Sequence, residues 1–479
     1  MNAATSMAES PGRPPRVVVV GGGLAGLATA AGLVETGLEV TVMEGRRRAG
    51  GRAASFEDPV SGGLVDACQH VAMGCCTNFI DLCRRSGLDD ALRRDRTLWF
   101  IGPDGDRSRC APARWLPAPL HLAPLLFGMR HFSFTEKLAV VAGMLRLARH
   151  RPGANGDAPT ALAWLRSSGR QPERVISLFW QPVIESALGE SIDLVSVAAA
   201  RKVAVDGFLA HRDAADLVVP TEPLGRLFGE RLVGWLESQG VAVRTAATAT
   251  AIERDSGGVV TAVRCGDERI PCDAVVLAVP WKAAGRLVPD LVAAADDHLA
   301  GSPITAVHLW FDRPVVDLPH AVLVGRVSQW VFRGDEHAGD GEATPGYCQV
   351  VISASRGLMG GDRGRLVDTV VAELRGVFPA ARDAGLVEAR VVTDPTAVLS
   401  VRPGVEAFRP ATVTAVPNLF LAGDWTATGW PSTMEGAVRS GRIAAEAVAG
   451  RLGRPIVAVA ADLPKNPLVR LLSGRDFGA

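Results

Sequence analysis

Lysine is almost missing from this chain. Lys137, Lys202, Lys282 and Lys465 are the only lysines among 51 Lys+Arg residues. An excess of either charge is missing too, because 51 Asp+Glu balance the basic residues. That removes the basic face which nucleic-acid binding requires, so no nucleic-acid partner is expected. No apolar run reaches the roughly 20 residues of a membrane span. The eight cysteines have no metal-like spacing: Cys68, Cys75, Cys76 and Cys83 cluster without a second CxxC or paired histidines. No metal is expected, and the thiols read as reduced and buried in a cytoplasmic protein. The first fifteen residues are polar and proline-rich with no apolar h-region, so they are not expected to be a secretory signal. Residues 1–15 read as a disordered leader. No internal repeat is found. At 479 residues the chain is too long for one simple core, and two domains are expected.

What is present is concentrated in residues 17–44, VVVVGGGLAGLATAAGLVETGLEVTVME. Four valines make a strand of the kind buried on both faces. Gly21-x-Gly23-x-x-Gly26 follows at once, then an alanine-rich helix to about Glu35, then a strand over 39–43 that ends at Glu44. Gly21 permits the tight turn, Gly23 admits a pyrophosphate, and Gly26 lets helix and strand pack closely. Leu24 and Ala25 belong to the same phosphate-facing turn. The helix N-terminus offers free N–H groups and partial positive charge, and Glu44 can accept hydrogen bonds from a ribose. A strand before the glycines and a helix after them are the context that makes this motif a dinucleotide site. Gly50-Gly51-Arg52 then suits a loop passing a pyrophosphate, with Arg52 neutralising charge. Arg46 to Arg48 read as a solvated basic turn.

GxGxxG, an acid closing the next strand, and GGR together resemble the opening of the flavin amine oxidase and phytoene desaturase superfamily. The resemblance implies FAD at this site. It implies an α/β fold with a discontinuous Rossmann-like FAD-binding domain and an α+β substrate-binding domain, amine-oxidase-like. The expected division is 16–90, 215–290 and 405–455 for FAD and 91–214 and 291–404 for substrate, with a tail over 456–479. The segment Val65-Asp66-Ala67-Cys68-Gln69-His70-Val71-Ala72-Met73-Gly74 resembles one branch, the squalene-associated FAD-dependent desaturases or hydroxysqualene dehydroxylases. The segment departs at Cys68, where that branch has Gly; a positive φ there would strain a cysteine. The resemblance puts Gln69 and His70 near the flavin, while a lone histidine read by itself is as readily a hydrogen-bonded core residue.

Further along, residues 78–92 suggest an amphipathic helix. Residues 114–130 are apolar, broken by proline and flanked by arginines, which fits an interfacial wedge or a buried loop. Ser133-x-x-Glu136 predicts a capping box opening a helix to about His150. Residues 151–158 read as a linker, 160–200 as two or three helices, and 333–346 as a glycine-rich loop. Glu185 is a candidate buried acid, though a helix-surface carboxylate is the plainer reading. A helix to about Gln239, a strand over 241–244 and another over 247–253 follow, and the resemblance assigns an adenine contact to Ala249. Residues 273–280 resemble the superfamily's VVLAVP strand. At the far end, 418–425 is a strand closing in Gly423-Asp424, and 429–437 leads into a helix ending near Gly450. In the superfamily this is the second FAD motif. Asp424 would meet the ribityl or pyrophosphate region, and the Thr433 and Met434 backbone would face the flavin pyrimidine. Residues 468–472 read as a frayed terminus or a membrane contact.

The resemblance implies reductive dehydroxylation of hydroxysqualene to squalene in squalene and hopanoid synthesis, with His70, Gln69 and Glu185 as candidate catalytic residues. A dry site would protect the carbocation, and Trp180, Trp310 and Phe311 could face it or simply fill the core. Two readings stay open beside this one. One is a carotenoid or polyprenyl desaturase or an amine oxidase running hydride the other way; of the lysines an amine oxidase would need, only Lys282 falls in a plausible segment. The other is a prenyl-lipid carrier without flavin. The expected partners are a polyprenyl substrate, an unspecified electron donor and peripheral contact with the inner face of the cell membrane.

Overall fold

The computed structural model describes residues 13–58, 60, 62–151, 159–334 and 346–473. Most of the expected leader and linker, most of the 333–346 loop and the last residues of the tail lie outside them.

One sheet is purely parallel. Its five strands run Ala242–Arg244, Glu39–Met43, Arg16–Val20, Ala274–Leu277 and Leu419–Leu421 across the sheet. The valine strand is central, and Val17 to Val20 are all buried. Both faces of such a sheet must be covered, which is why these strands are apolar throughout. Helix Leu24–Leu33 lies against it and against helix Met434–Arg451. The two helices meet through small residues: a Cβ on Gly441 would fall 2.2 Å from the Ala25 carbonyl oxygen. The two ends of the chain are thereby brought together at one edge of the nucleotide motif.

The second large sheet has seven strands in the order Leu386–Leu399, Gly301–Phe311, Tyr347–Ile352, Trp330–Arg333, His320–Leu323, Leu98–Ile101 and Arg107–Cys110. Every pairing is antiparallel except His320–Leu323 with Leu98–Ile101. On one face Val307, Leu309 and Phe311 pack with Val370 and Leu374 of helix Arg363–Val377. On the other, Leu98, Phe100 and Val322 pack with helices Phe134–Arg149 and Gln181–Leu188. Ser133 and Glu136 form the expected capping box.

Several local expectations need correction. The first helix ends at Leu33, because Glu35 and Gly37 both turn to positive φ. The helix expected over 78–92 is Thr77–Arg85, stopped by Gly87 at φ 67, with a separate short turn at Asp89–Ala91. The strand expected from Ala247 begins only at Ala251; positive φ at Ala246 breaks the chain direction just before it. The frayed terminus is instead a helix, Pro467–Ser473, anchored by fully buried Val469.

Candidate functional site

A single cavity of about 1540 Å³ runs from the glycine-rich turn to the second sheet. Pockets for one small ligand span roughly 300–1,000 Å³, so this one has room for a dinucleotide and a long second molecule together.

The nucleotide end is built by backbone that side chains would obstruct. A Cβ on Gly26 would meet the Gly21 carbonyl oxygen at 1.8 Å. Gly51, at φ 67, closes on Gly23, whose Cα would lie 3.0 Å from a Cβ there. Gly23 is the N-cap of helix Leu24–Leu33 and has no side-chain cap, so the first N–H groups are left to a ligand. Glu44 accepts hydrogen bonds from Gly22 N and Arg46 N, both at 2.8 Å. Gly22 escaped the sequence reading, yet a Cβ there would meet Glu44 at 2.8 Å. Gly21, Leu24, Ala25, Gly50, Arg52, Ala249, Gly423, Asp424, Thr433 and Met434 also line this cavity. Gly23, Glu44 and Gly51 line it too, whereas Gly26 lies behind the turn, against Gly21 O, and is off the wall. Thr433 caps helix Met434–Arg451 through Gly436 N.

Arg52 and Asp424 are bonded to one another, and Arg52 also donates to Ala397 O at 2.8 Å. Burial alone would raise the Asp424 carboxyl. The Arg52 charge and the Ser432 hydroxyl outweigh burial and hold it low.

Gln69 and His70 stand on the cavity wall. Gln69 N donates to the buried Gln349 side chain, whose Nε2 donates to Asp66 O at 3.1 Å. Tyr347, the only tyrosine, sits 2.8 Å from His308 Nδ1 in the same network. Long-range partners such as Gln349 leave no signal in the local pattern. His70 Nδ1 lies 2.8 Å from Cys68 O. A carbonyl only accepts, so Nδ1 holds the hydrogen and Nε2 presents a lone pair. Burial lowers the His70 pKa, which keeps the ring neutral and unsuited to donating a proton. The feared strain at Cys68 is absent: its φ is not positive, and burial pushes its thiol up to about 12.

Glu185 is elsewhere. It is buried rather than on a helix surface, accepts from Ile192 N at 3.1 Å, and does not line the cavity. Trp180, Trp310 and Phe311 are likewise core residues away from the wall. Lys282 is exposed and off the wall, whereas Lys202, which the sequence did not single out, is on it.

The far end is aliphatic and aromatic. Leu120, Phe127, Leu138, Leu468 and Leu471 line it and are also exposed, Leu471 by 83%. The apolar segment over 114–130 and the C-terminal helix thus frame a mouth; Trp115, in the same segment, is exposed but does not line the cavity.

The family model for flavin-containing amine oxidoreductases matches residues 24–449. This chain belongs to that family. It is 28% identical over 457 residues to a hydroxysqualene dehydroxylase of Sinorhizobium fredii, covering 90% of this chain and 98% of that one. It is 26% identical to a 15-cis-phytoene desaturase of Solanum lycopersicum, covering 91% and 78% respectively. Among solved structures it is similar to cyclohexylamine oxidase from Brevibacterium oxydans, with a TM-score of 0.66, 20% identity and coverage of 92% and 100%. As a family member the chain is an FAD-dependent oxidoreductase of the amine-oxidase-like fold. The glycine cradle, the unsatisfied helix N-terminus and the Glu44 carboxylate suit the charges and hydroxyls of FAD. In this family member no helix among the described residues is long and apolar enough to cross a membrane.

Proposed function

We propose that this flavoenzyme removes the hydroxyl group of hydroxysqualene, giving squalene and water. The observation that carries the reading is the cavity itself, which continues from the nucleotide cradle into a long apolar space with an apolar mouth. Similarity to hydroxysqualene dehydroxylase over nine-tenths of the chain supports the same substrate. When bound, reduced FAD supplies the hydride that replaces the departing oxygen. The residues of the chain do the rest. Gly21 to Gly26, Glu44, Gly50 to Arg52, Ala249, Gly423, Asp424, Thr433 and Met434 hold and orient the cofactor. Apolar side chains such as Leu122, Phe179 and Phe332 exclude water that would recapture a carbocation. His70 and Gln69 shape the floor beside the cofactor.

We place residues 16–90, 215–290 and 405–455 in the FAD-binding domain and the intervening segments in the substrate domain. The mouth formed by Leu120, Phe127 and Leu471 rests on a membrane surface at the inner face of the cell membrane and draws the lipid in from there. Similarity to a phytoene desaturase favours one alternative, hydride removal from a polyprenyl chain into FAD. Anaerobic incubation with chemically reduced FAD decides between them: squalene formed from hydroxysqualene supports the proposal. A yellow, folded protein that forms no squalene but dehydrogenates a polyprenyl chain when oxidised sinks it. A folded protein without flavin would favour a prenyl-lipid carrier.

A further inference from the structure

We infer that Lys202, held by Asp206, grips the hydroxyl oxygen of the substrate and supplies the proton with which that oxygen leaves as water. The inference rests on the dehydroxylation proposed above.

Its basis is where the fold spends charge. Among the described residues, two ion pairs have both members on the cavity wall. One is Arg52 with Asp424, at the nucleotide end; the other is Lys202 with Asp206. The second has Trp430 against Lys202 and Met73 against the adjoining Gly207, and these two and the following Val203, Phe208 and Leu209 are apolar lining residues. Facing charges into an apolar cavity costs desolvation. A pure hydrocarbon ligand returns nothing for it, whereas an alcohol offers lone pairs to the ammonium.

Local backbone sets up this arrangement. Helix Val197–Lys202 runs into a wider, π-type stretch, Val203–Leu209. Such turns displace side chains from the regular helical face and recur at functional sites. Here the stretch puts Asp206 Oδ2 2.8 Å from Lys202 Nζ and Gly207 against Met73, 3.6 Å from where a Cβ would stand. Lys202 Nζ also lies 4.4 Å from the centre of the Trp430 ring. Trp430 precedes the Thr433 and Met434 backbone assigned to the flavin, and Met73 follows the His70 loop. The pair therefore stands between the two segments that flank the proposed reaction centre. An ammonium has three N–H donors. Asp206 takes one and the Trp430 face another, which leaves one for a ligand. Lys465 Nζ lies 3.5 Å from Asp206 Oδ1 and steadies the carboxylate from its other side.

The other candidate acids are poorly placed. His70 presents a lone pair at Nε2, and Glu185 is bonded to Ile192 N off the wall. In the step, the C–O bond breaks and its electron pair stays with oxygen. That oxygen takes a proton from Lys202 Nζ and departs as water. The carbon receives a hydride, with its two electrons, from the reduced flavin. Water at the cavity mouth returns the proton to Lys202. Asp206 offsets the ammonium charge beside the developing cation.

The test uses full-length, FAD-loaded protein with hydroxysqualene and squalene in detergent micelles. Binding is read from the flavin spectrum and turnover under reducing, anaerobic conditions. Lys202→Met is expected to lower kcat at least ~100-fold, the usual range for a lost proton donor. It should weaken hydroxysqualene binding about tenfold and leave squalene binding unchanged. Lys202→Arg should restore hydroxysqualene binding but not kcat, because a guanidinium donates a hydrogen bond without giving up its proton. Turnover by Lys202→Met within threefold of wild type overturns the inference, as does equal loss of binding for both lipids. Should Lys202→Met not fold, Asp206→Asn serves instead: a drop in kcat of about tenfold with intact squalene binding supports the role, and an unchanged kcat overturns it. If wild-type protein with bound, reduced FAD leaves hydroxysqualene untouched, the dehydroxylation reading fails, a result distinct from failure of the lysine alone.

Discussion

Replacing Gly26 by alanine tests whether the cofactor cradle depends on contact between helix and strand at its first turn. The added Cβ would lie 1.8 Å from Gly21 O and 3.3 Å from Ala278 Cβ. Ordinary contact needs roughly 1.5 Å more than the first of these distances allows. The obstacle is backbone, and Gly21 is itself fixed at φ 111 by the turn. No rotamer change relieves it, so the helix Leu24–Leu33 must lift from the strand. Overpacking of this kind costs about 1–3 kcal/mol, and a rigid backbone obstacle belongs at the upper end, near 3 kcal/mol. A domain stable by about 5–15 kcal/mol survives that loss, but its first N–H groups no longer point where the phosphate lies. The expected result is a folded protein with a lowered melting temperature and at most a tenth of the wild-type flavin, measured as flavin per polypeptide. Gly234→Ala is the control. It lies in helix Leu232–Ser238 with nothing within 4 Å of an added Cβ, and should be neutral or stabilising by up to about 1 kcal/mol. A Gly26→Ala protein that matches this control in flavin content and melting temperature would refute the reasoning.

Three other perturbations follow from the same geometry. Arg52→Ala strips the buried Asp424 carboxylate of its cation and should cost about 2 kcal/mol, after discounting the part-exposed guanidinium. Because the Asp424 carboxyl is held low, its contribution is present above the unfolded value near pH 4 and lost as pH falls through the folded value. Acid titration of flavin release should therefore begin at higher pH in the variant, and an unshifted curve counts against the pairing. Asp66 has its carboxyl raised to about 7, chiefly by burial, with Oδ2 unpartnered. The folded state then holds a proton that the unfolded state has shed, so stability falls as pH rises from about 4 to about 7. Asp66→Asn can keep the acceptor for Ser55 and Leu224 N, and should raise the melting temperature at pH 8 while changing it little at pH 4; equal curves refute this. Phe127→Ser combined with Leu471→Ser should weaken liposome binding roughly a thousandfold, at about 2 kcal/mol per exposed side chain, with flavin content unchanged.

The cofactor half was legible because its chemistry is local in sequence. Turn, helix start and closing acid lie within residues 17–44, and Gly423-Asp424 sits at the end of its own strand. Even there the reading was incomplete: Gly22, whose missing Cβ admits Glu44, was hidden behind the better-known spacing of its neighbours. Glu185 failed for a different reason. Its helix showed a carboxylate at a position that pattern alone assigns to solvent, but Ile192 N, seven residues on, folds back to bury it. The C-terminal helix was unreadable for the same cause, since Val469 packs against the distant Ala118, Ala148, Val205 and Leu209.

Lysine scarcity carried more information than the sequence alone could release. With so few lysines, the one assigned by position to a family segment was Lys282, and it is exposed. Lys202 with Asp206 has an i, i+4 spacing that on any helix reads as a solvated surface pair worth a few tenths of a kcal/mol. Two facts outside that spacing change its meaning: the wide turn after Lys202, and the arrival of Trp430 from more than two hundred residues away to cover the ammonium. The same pair of residues is decoration in one tertiary setting and a proton source in another. A site of this kind becomes visible only when the wall it stands on is known to be largely apolar, and that wall is assembled from segments as distant as Met73 and Leu472.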